Sequence, residues 1–230
     1  MTIDKIINSP ILLDPWEHKV VDDILPDQVF KKVQEAAKFL TKYTIDGKTN
    51  PIWINEALTL GVKQDCVDSI INFTDQILDN IDDILAGFST TNKSLHGYYS
   101  LPKFGVSGKN FMYPIHSESS HKVLLIVIYL EPEIERGTRL YTGQQESDFH
   151  KEIEWKPNRA LIICPNGNND ETWHTWKNTN GEPRVTLNIF CEKIECMEKS
   201  MTKSAENDNF ESMLWLLDQI GKNHLTTNKY

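Results

Sequence analysis

Two short segments of the chain each carry a histidine next to other groups that can bind a metal ion. In the first, Tyr113-Pro-Ile-His116-Ser-Glu118, an imidazole and a carboxylate stand two residues apart. Residues i and i+2 of a β-strand point to the same face, so His116 and Glu118 can present their side chains together. The second segment is Trp173-His174-Thr175-Trp176. Two neutral imidazoles and one carboxylate on one side of a metal leave three coordination positions open, so the pattern predicts a metal centre with room for small molecules.

An arginine and a threonine follow the second histidine at a spacing that suits an organic acid. Arg184 comes ten residues after His174, and Thr186 comes two residues later. A guanidinium is a fixed fork of donors that matches the geometry of a carboxylate. Thr186 faces the same way on a strand and can donate a hydroxyl hydrogen bond to the same group. The pair therefore predicts a carboxylate site beside the metal.

At these residues the sequence resembles the 2-oxoglutarate/Fe(II)-dependent oxygenases, above all the prolyl-4-hydroxylase-like and small phage-type members. The family pattern is His-x-Asp/Glu, a distal His, and Arg-x-Ser/Thr about ten residues further on. It is matched here by His116 with Glu118, by His174, and by Arg184 with Thr186. Tyr113 precedes the first histidine by three residues, as in the Tyr-x-x-His-x-Asp stretch of prolyl-hydroxylase-like members. The similarity covers roughly residues 97–192, under half of the chain.

The resemblance implies an enzyme, a dioxygenase that uses Fe(II), O2 and 2-oxoglutarate as co-substrate. His116, Glu118 and His174 are the implied iron ligands. Arg184 is the implied partner of the 2-oxoglutarate C5 carboxylate, with Thr186 and Tyr113 as further contacts. The implied reaction hydroxylates a C–H bond of a substrate and releases succinate and CO2. A protein, a peptide and a small molecule all remain open as substrate.

Two positions depart from the family pattern. Glu118 stands where most members have Asp, and its extra methylene requires an adjusted rotamer or strand for the carboxylate to reach iron. Leu125 lies where several members carry a polar residue that contacts the co-substrate; Lys122 either compensates or is solvated. His121 is a competing ligand, but its odd spacing from His116 places it on the opposite face of a continuous strand.

Two other functions are compatible with the same residues. Glu118 lends weight to a jelly-roll domain that binds a protein or sugar partner and keeps only a vestigial metal site, because fold alone does not settle function. A cupin-like metal enzyme that uses no 2-oxoglutarate is the third hypothesis. Arg184, ten residues beyond His174, argues against it.

The elements that must position these residues are mostly short β-strands. From about residue 96, apolar or alternating segments rich in β-branched and aromatic residues are separated by Gly, Pro and Asn, at the spacing typical of a sandwich or barrel. The predicted segments are Gly97–Leu101, Phe111–His116, Lys122–Leu130, Thr138–Thr142, Lys151–Trp155, Arg159–Cys164, Glu171–Lys177 and Arg184–Glu192. The resemblance implies that they form a double-stranded β-helix, or jelly roll. The predicted fold class is mainly β with flanking α-helices.

Helical periodicity marks the two ends of the chain. Apolar residues recur at helical spacing over residues 27–43, with Asp27 as the expected N-cap, and over 64–86, with Gly87 as the expected end. A further amphipathic helix is predicted over 207–221. We therefore expect three parts of one structural domain: an N-terminal helical support (1–95), the catalytic β-helix core (96–195), and a C-terminal helix and tail (196–230).

Composition limits the partners that the chain can have. The 230 residues contain 39% hydrophobic side chains, enough for a core, and the net charge of −9 disfavours a non-specific nucleic-acid binder. No stretch reaches the roughly 20 apolar residues of a membrane span, and no secretory signal is evident. Four cysteines without a CxxC make a disulfide framework improbable, so a reducing cytoplasm is expected. A homodimer, through an exposed sheet edge or the C-terminal helix, stays open.

Overall fold

The computed structural model describes residues 2–89, 94, 97–119, 121–165, 172–178, 181–194 and 196. Within them the α-helices are α1 Thr2–Asn8, α2 Asp27–Leu40, α3 Ile54–Leu60, α4 Gln64–Asp79 and α5 Ile81–Ala86. The strands are β1 His18–Val21, β2 Thr49–Trp53, β3 Tyr98–Ser100, β4 Lys103–Ser107, β5 Lys122–Glu131, β6 Thr138–Tyr141, β7 Phe149–Ile153, β8 Ala160–Ile163, β9 His174–Trp176 and β10 Arg184–Lys193.

The strands form two antiparallel sheets that face each other. The larger sheet has the order β1-β8-β5-β10-β4-β2, and β3 pairs with the far end of β10. The smaller sheet has the order β7-β6-β9. Two packed antiparallel sheets with crossing connections are the architecture of a jelly roll. The predicted fold class, a mainly β double-stranded β-helix with flanking helices, is confirmed.

Alternation along the two longest strands decides what each face of the large sheet contacts. Successive residues of a strand point to opposite faces. On β5, Leu124, Ile126 and Ile128 belong to the core that the large sheet shares with the helices. Leu125 and Tyr129 instead belong to a second cluster between the two sheets, with Trp155 from the loop after β7. Because β5 is covered on both faces, it is an unbroken apolar run in the sequence.

The helices cover the outer face of the large sheet, as the amphipathic patterns predicted. Val33, Ala37 and Leu40 of α2, together with Ile70 and Ile77 of α4, are among the buried residues of that core. The pattern over 64–86 forms two helices rather than one, because Asn80 leaves the helical conformation at φ −117° and ψ 18°. Asp27 is the first helical residue of α2, and Pro26 occupies the N-cap position.

The sequence patterns missed three strands of the large sheet. β1 and β2 lie within residues 1–95, which we expected to be helix and connection, and β4 lies outside every predicted strand segment. β2 contains Pro51, which a sheet tolerates on an edge strand, and β2 is indeed at an edge. β4 contains Gly105, which weakens a strand pattern. These short strands are ordered by their neighbours rather than by their own residues.

Two other predicted elements have different outcomes. Phe111–His116 is not a continuous strand; its β-pairing consists of two isolated bridges, Met112 with Lys177 and His116 with His174. The helix predicted over 207–221 lies outside the described residues. The three-part division at residues 95 and 195 stays a prediction. No helix in the described part of the chain is both long and apolar enough to cross a membrane.

Candidate metal centre and its cavity

His116 and His174 are brought together by their own backbones. The amide of each donates a hydrogen bond to the carbonyl of the other, at 3.1 and 2.9 Å. Residues directly opposed in an antiparallel pair have side chains on the same face. The two imidazole rings accordingly lie with their centroids 4.3 Å apart. A single backbone bridge therefore positions two histidines that are far apart in sequence.

Hydrogen bonds on the far side of each ring orient both imidazoles. Nδ1 of His116 lies 3.0 Å from the carbonyl oxygen of Pro114, and Nδ1 of His174 lies 2.7 Å from that of Thr172. A carbonyl oxygen only accepts, so Nδ1 carries the proton in each ring. In the neutral imidazoles Nε2 is then left with a free lone pair. This backbone-fixed tautomer is the usual arrangement of a metal-binding histidine.

Glu118 supplies the third group. Its Oε1 lies 3.6 Å from Nε2 of His116 and 3.4 Å from Nε2 of His174, and the three candidate ligand atoms all lie within 4.8 Å of one another. Glu118 is only 5% exposed. Burial opposes its ionisation, but Lys122 and the two imidazoles in their protonated form outweigh that effect and hold the pKa of the carboxyl well below its usual range. With the imidazoles neutral, the buried anion faces two nitrogen lone pairs, a donor set that suits a divalent cation.

Lys122 orients the side chain of Glu118, which is one methylene longer than the aspartate of the family pattern. Its Nζ donates a hydrogen bond to Oε2 of Glu118 at 2.5 Å. The carboxylate is thereby turned so that the other oxygen, Oε1, faces the imidazoles. Lys122 is therefore not simply solvated. His121, the competing ligand, contacts Glu192 at 3.6 Å instead.

A cavity of about 300 Å³ opens between the two sheets beside these three residues. Its floor is the inner face of the large sheet, and Thr138, His174 and Trp176 of the small sheet close it from the other side. The predicted site residues that line it are Tyr113, His116, Glu118, His174, Arg184 and Thr186. Leu125 lines it as well, so the apolar departure from the family pattern is part of the cavity wall.

Arg184 is a buried cation without a carboxylate partner. The residue is 2% exposed, and its guanidinium carbon lies 4.4 Å from the ring centroid of Trp176 and 4.9 Å from that of Trp155. No described residue forms an ion pair with it, and its Nε is buried without a hydrogen-bond partner. Burial lowers its pKa to about 10, so the group stays charged at neutral pH. Such an orphaned cation fits an anionic ligand in the cavity.

Thr186 and Tyr113 both line the cavity that Arg184 faces. A Cβ added at Gly105 would lie 2.9 Å from Oγ1 of Thr186, so the glycine leaves room around this hydroxyl. The ring of Tyr113 stacks on that of Trp176 at 5.8 Å and lies 4.5 Å from that of His116. Tyr113 thus bridges the metal-binding cluster and the arginine end of the cavity.

Several cavity residues escaped the sequence analysis. Asn188 and Phe190 continue the inward-facing alternation of β10 beyond Thr186, so the i+2 rule alone could have found them. Lys103 and Ser107 line the cavity from β4, which no sequence pattern marked as a strand. Trp155, which packs on Arg184 outside the cavity lining, was predicted only as the end of the strand segment Lys151–Trp155.

Comparison with solved structures identifies similar folds at low sequence identity. A prolyl-4-hydroxylase of Pseudomonas putida superposes with a TM-score of 0.57 at 13% identity, over 84% of this chain and 99% of that chain. A prolyl hydroxylase of Trichoplax adhaerens, in complex with a peptide of hypoxia inducible factor, gives 0.55 at 12% identity, over 84% and 89%. The viral collagen prolyl hydroxylase of Paramecium bursaria Chlorella virus-1, in complex with 2OG, gives 0.50 at 12% identity, over 79% and 98%.

The sequence itself matches neither a protein-family model nor a curated protein. The fold likeness spans most of this chain and nearly all of the bacterial enzyme. The similarity that the motifs suggested is thus confirmed in the architecture. The chain has the double-stranded β-helix fold of the prolyl 4-hydroxylases and other 2-oxoglutarate oxygenases.

Proposed function

We propose that the chain is an Fe(II)- and 2-oxoglutarate-dependent dioxygenase that hydroxylates a C–H bond of a peptide or small-molecule substrate, with release of succinate and CO2. The observation that carries the proposal is the pairing, in one cavity, of the His116, Glu118 and His174 donor set with the orphaned guanidinium of Arg184. A metal-binding jelly roll without 2-oxoglutarate would not need a buried cation here. The solved structures of similar fold include hydroxylases, one of them in complex with 2OG.

Each site residue has a defined part in this proposal. His116 and His174 offer Nε2, and Glu118 offers Oε1, as the three protein ligands of Fe(II). Arg184 binds the C5 carboxylate of 2-oxoglutarate, with Thr186 donating a hydroxyl hydrogen bond and Tyr113 closing the side of the cavity. When bound, iron and 2-oxoglutarate together supply the oxidising power for O2-dependent attack on a C–H bond, which no protein side chain provides.

The chain's own contribution is to orient these groups and to exclude water. Trp176 and Trp155 cover the guanidinium of Arg184 and keep it desolvated, which strengthens its attraction for a carboxylate. Lys122 keeps Oε1 of Glu118 directed at the metal position. Leu125, Val127 and Leu161 line the cavity with apolar surface.

The test is an anaerobic titration of the protein with Fe(II) and then 2-oxoglutarate, followed by the weak visible absorption of the chelate. Wild type is expected to develop the band. Arg184→Met is expected to retain iron but to need about tenfold or more 2-oxoglutarate, since a charge-assisted pair of hydrogen bonds is lost. Arg136→Met, at an exposed arginine outside the cavity, is the matched control and should behave as wild type.

The opposite results are equally clear. No band in wild type, with iron absent from the protein, would overturn the proposal and favour the binding-module hypothesis. If the band of wild type and that of Arg184→Met depended equally on 2-oxoglutarate concentration, Arg184 would not be the residue that binds the C5 carboxylate.

A further inference from the structure

The cavity extends well beyond the metal-binding cluster and Arg184. Its far end is lined by β2 and β4, through Thr49, Pro51 and Lys103, and by Asn188 and Phe190 of β10. In the sheet register, Arg184 pairs with Ser107 and Asn188 pairs with Lys103. Four residues of strand separate the two pairs, a distance of about 13 Å. The cavity therefore has two ends, with Arg184 at one and Lys103 at the other.

Lys103 is a half-buried cation without an acidic partner of its own. Its Nζ lies 4.5 Å from the ring centroid of Phe190 and 4.7 Å from that of Trp53. Among the described residues, no carboxylate forms an ion pair with it and no hydrogen-bond acceptor contacts it. The aromatic rings hold the ammonium in place by cation–π attraction but leave its N–H donors unused.

A second ammonium stands on the same ring. Nζ of Lys122 lies 4.3 Å from the centroid of Phe190. Burial lowers the pKa of Lys103, and the neighbouring Lys122 lowers it further, while Glu192 and Glu118 act in the opposite direction. Both of those carboxylates are engaged elsewhere: Glu192 accepts from Tyr99 at 2.6 Å, and Glu118 faces the imidazoles and Lys122. Among the described residues, Lys103 is thus left without a dedicated counter-ion.

The metal-binding cluster connects the two ends. Glu118 contacts Lys122 on the Lys103 side, and Tyr113 packs against both His116 and Trp176 on the Arg184 side. If Arg184 binds 2-oxoglutarate and Glu118 binds iron, neither is available to neutralise Lys103. The anion that Lys103 can bind is then a different molecule, located at the Lys103 end of the cavity.

We propose that Lys103 binds an anionic group, a carboxylate or a phosphate, of the substrate, and that the ring of Phe190 contacts the apolar part next to it. The inference rests on the proposed oxygenase function, because it assigns Arg184 to the co-substrate and Lys103 to the molecule that is oxidised. Lys122 contacts both the ring of Phe190 and the carboxylate of Glu118, so the Lys103 end of the cavity lies near the candidate iron ligands. The inference therefore narrows the substrate class to anions whose reacting C–H bond lies close to the charged group.

The experiment measures anion binding by anaerobic equilibrium dialysis of the full chain loaded with Fe(II) and saturating 2-oxoglutarate. The probes are 4-fluorobenzoate for a carboxylate, 4-fluorophenyl phosphate for a phosphate, and 4-fluorobenzyl alcohol as the neutral analogue. The variants are Lys103→Met, Lys103→Arg and Lys42→Met. Lys42 is the matched control, because its ammonium also stands over aromatic rings, those of Phe39 and Tyr43, but lies outside the cavity.

The expected result is that wild type binds at least one anion and that Lys103→Met binds it about tenfold more weakly. Lys103→Arg should retain most of the affinity, Lys42→Met all of it, and the alcohol should not distinguish the proteins. Equal anion affinity in wild type and Lys103→Met, or no binding of either anion to wild type, would overturn the inference.

The visible band of the chelate, recorded in the same samples, separates this inference from the oxygenase assignment. A normal band with anion binding unchanged in Lys103→Met would refute the inference alone. A greatly increased 2-oxoglutarate requirement in Lys103→Met would assign Lys103 to the co-substrate and so contradict the inference. No band in wild type would refute the oxygenase assignment and, with it, the substrate assignment of Lys103.

Discussion

The outer and inner faces of the large sheet are made by alternate residues of the same strands, yet they differ in almost every property. On β10, Val185, Leu187 and Ile189 point outward and are completely buried in the core that the sheet shares with the helices. Arg184 and Thr186 point inward and line the cavity. On β10 the outer face is apolar and closely covered, whereas the inner face carries charge beside open space.

This difference separates residues of the helix–sheet core from residues that line the cavity. Burying a cation without a partner costs free energy, and nothing in the packing of the sheet requires Arg184 to be one. The outer face contains no comparable group on this strand. A buried, uncompensated cation on the inner face is therefore best understood as half of an interaction that a bound anion completes.

The largest expected effect comes from removing a ligand on the inner side. His174→Ala deletes one of three metal-binding groups, so we expect iron binding and succinate formation to fall below detection, a loss of about a thousandfold or more in turnover. Metal analysis and a succinate assay measure this loss. His150→Ala, at a histidine paired with Asp14 near the surface, is the control and should remain active. Unchanged turnover in His174→Ala would contradict the site.

A substitution on the outer face should have the opposite character. Leu187→Ala leaves a cavity in the helix–sheet core and should lower the free energy of unfolding by about 2–5 kcal/mol. Because the side chain points away from the cavity, the folded fraction should bind iron and 2-oxoglutarate as wild type does. Urea unfolding gives the first quantity and the anaerobic titration the second. A loss of iron affinity in folded Leu187→Ala would show that the two faces are not independent.

Lys122 tests whether the carboxylate needs to be directed. Lys122→Met removes the hydrogen bond to Oε2 of Glu118, so we expect iron affinity to fall by about 10- to 100-fold while the three ligands remain. Competition with a metal chelator measures the change. Lys42→Met serves again as the control. Unaltered iron affinity would mean that the imidazoles and the metal alone position Glu118.

Thr186, the neighbour of Leu187, sharpens the comparison further. Thr186→Ala removes one hydroxyl on the inner face, so the 2-oxoglutarate requirement should rise about fivefold, the effect of one hydrogen bond, with little change in stability. The same titration of the visible band measures it. If Thr186→Ala instead destabilised the fold as much as Leu187→Ala, the functional reading of the inner face would be wrong.

The smallest effect concerns an ion pair that belongs to neither face. Asp22, the residue after β1, accepts hydrogen bonds from Arg159 at 2.6 Å and Lys156 at 3.1 Å, and these contacts lower its pKa to about 2 although burial acts in the opposite direction. Because the pKa of Asp22 is lower in the folded than in the unfolded state, its ionised carboxylate stabilises the folded state at pH values above the unfolded pKa, which is about 4. This stabilisation is lost as the pH falls towards 2. Because the side chain of Asp22 is 41% exposed, Asp22→Asn should cost only about 0.5–1 kcal/mol at pH 7.

Urea unfolding of both proteins at several pH values measures this small difference. Wild type should exceed Asp22→Asn in stability at pH 7, and the two should converge between about pH 4 and 2. A stability difference that stayed constant down to pH 2 would show that the pair acts through something other than the charge of Asp22.

The sequence was informative wherever residue type and local periodicity carried the information. The i and i+2 spacing of His116 with Glu118 and of Arg184 with Thr186 placed each pair on one face, and the structure brings these residues and His174 to one cavity. β5 and β10 were recognised because their alternation or apolar runs are long. Helices α2, α4 and α5 were recognised from their amphipathic spacing, apart from the break at Asn80, whereas α1 and α3 matched no predicted helical segment.

The rest depended on contacts that no local pattern encodes. The bridge between His116 and His174 joins two segments through reciprocal backbone hydrogen bonds. Any residue type can form such bonds, so the sequence does not predict this bridge. The short edge strand β2 contains a proline, and β4 contains a glycine, so neither has a strong strand pattern of its own. They are strands because β4 pairs with β10 and β2 pairs with β4. Lys103 was missed for that reason, because its position on the cavity wall follows only from the placement of β4 in the sheet.

The most direct test of the central claim is a crystal structure grown anaerobically with Fe(II) and 2-oxoglutarate, with anomalous diffraction measured at the iron edge. The account predicts one anomalous peak between Nε2 of His116, Oε1 of Glu118 and Nε2 of His174, with the far carboxylate of 2-oxoglutarate on the guanidinium of Arg184. Absence of an iron peak among these three atoms, or a 2-oxoglutarate molecule bound away from Arg184, would contradict it.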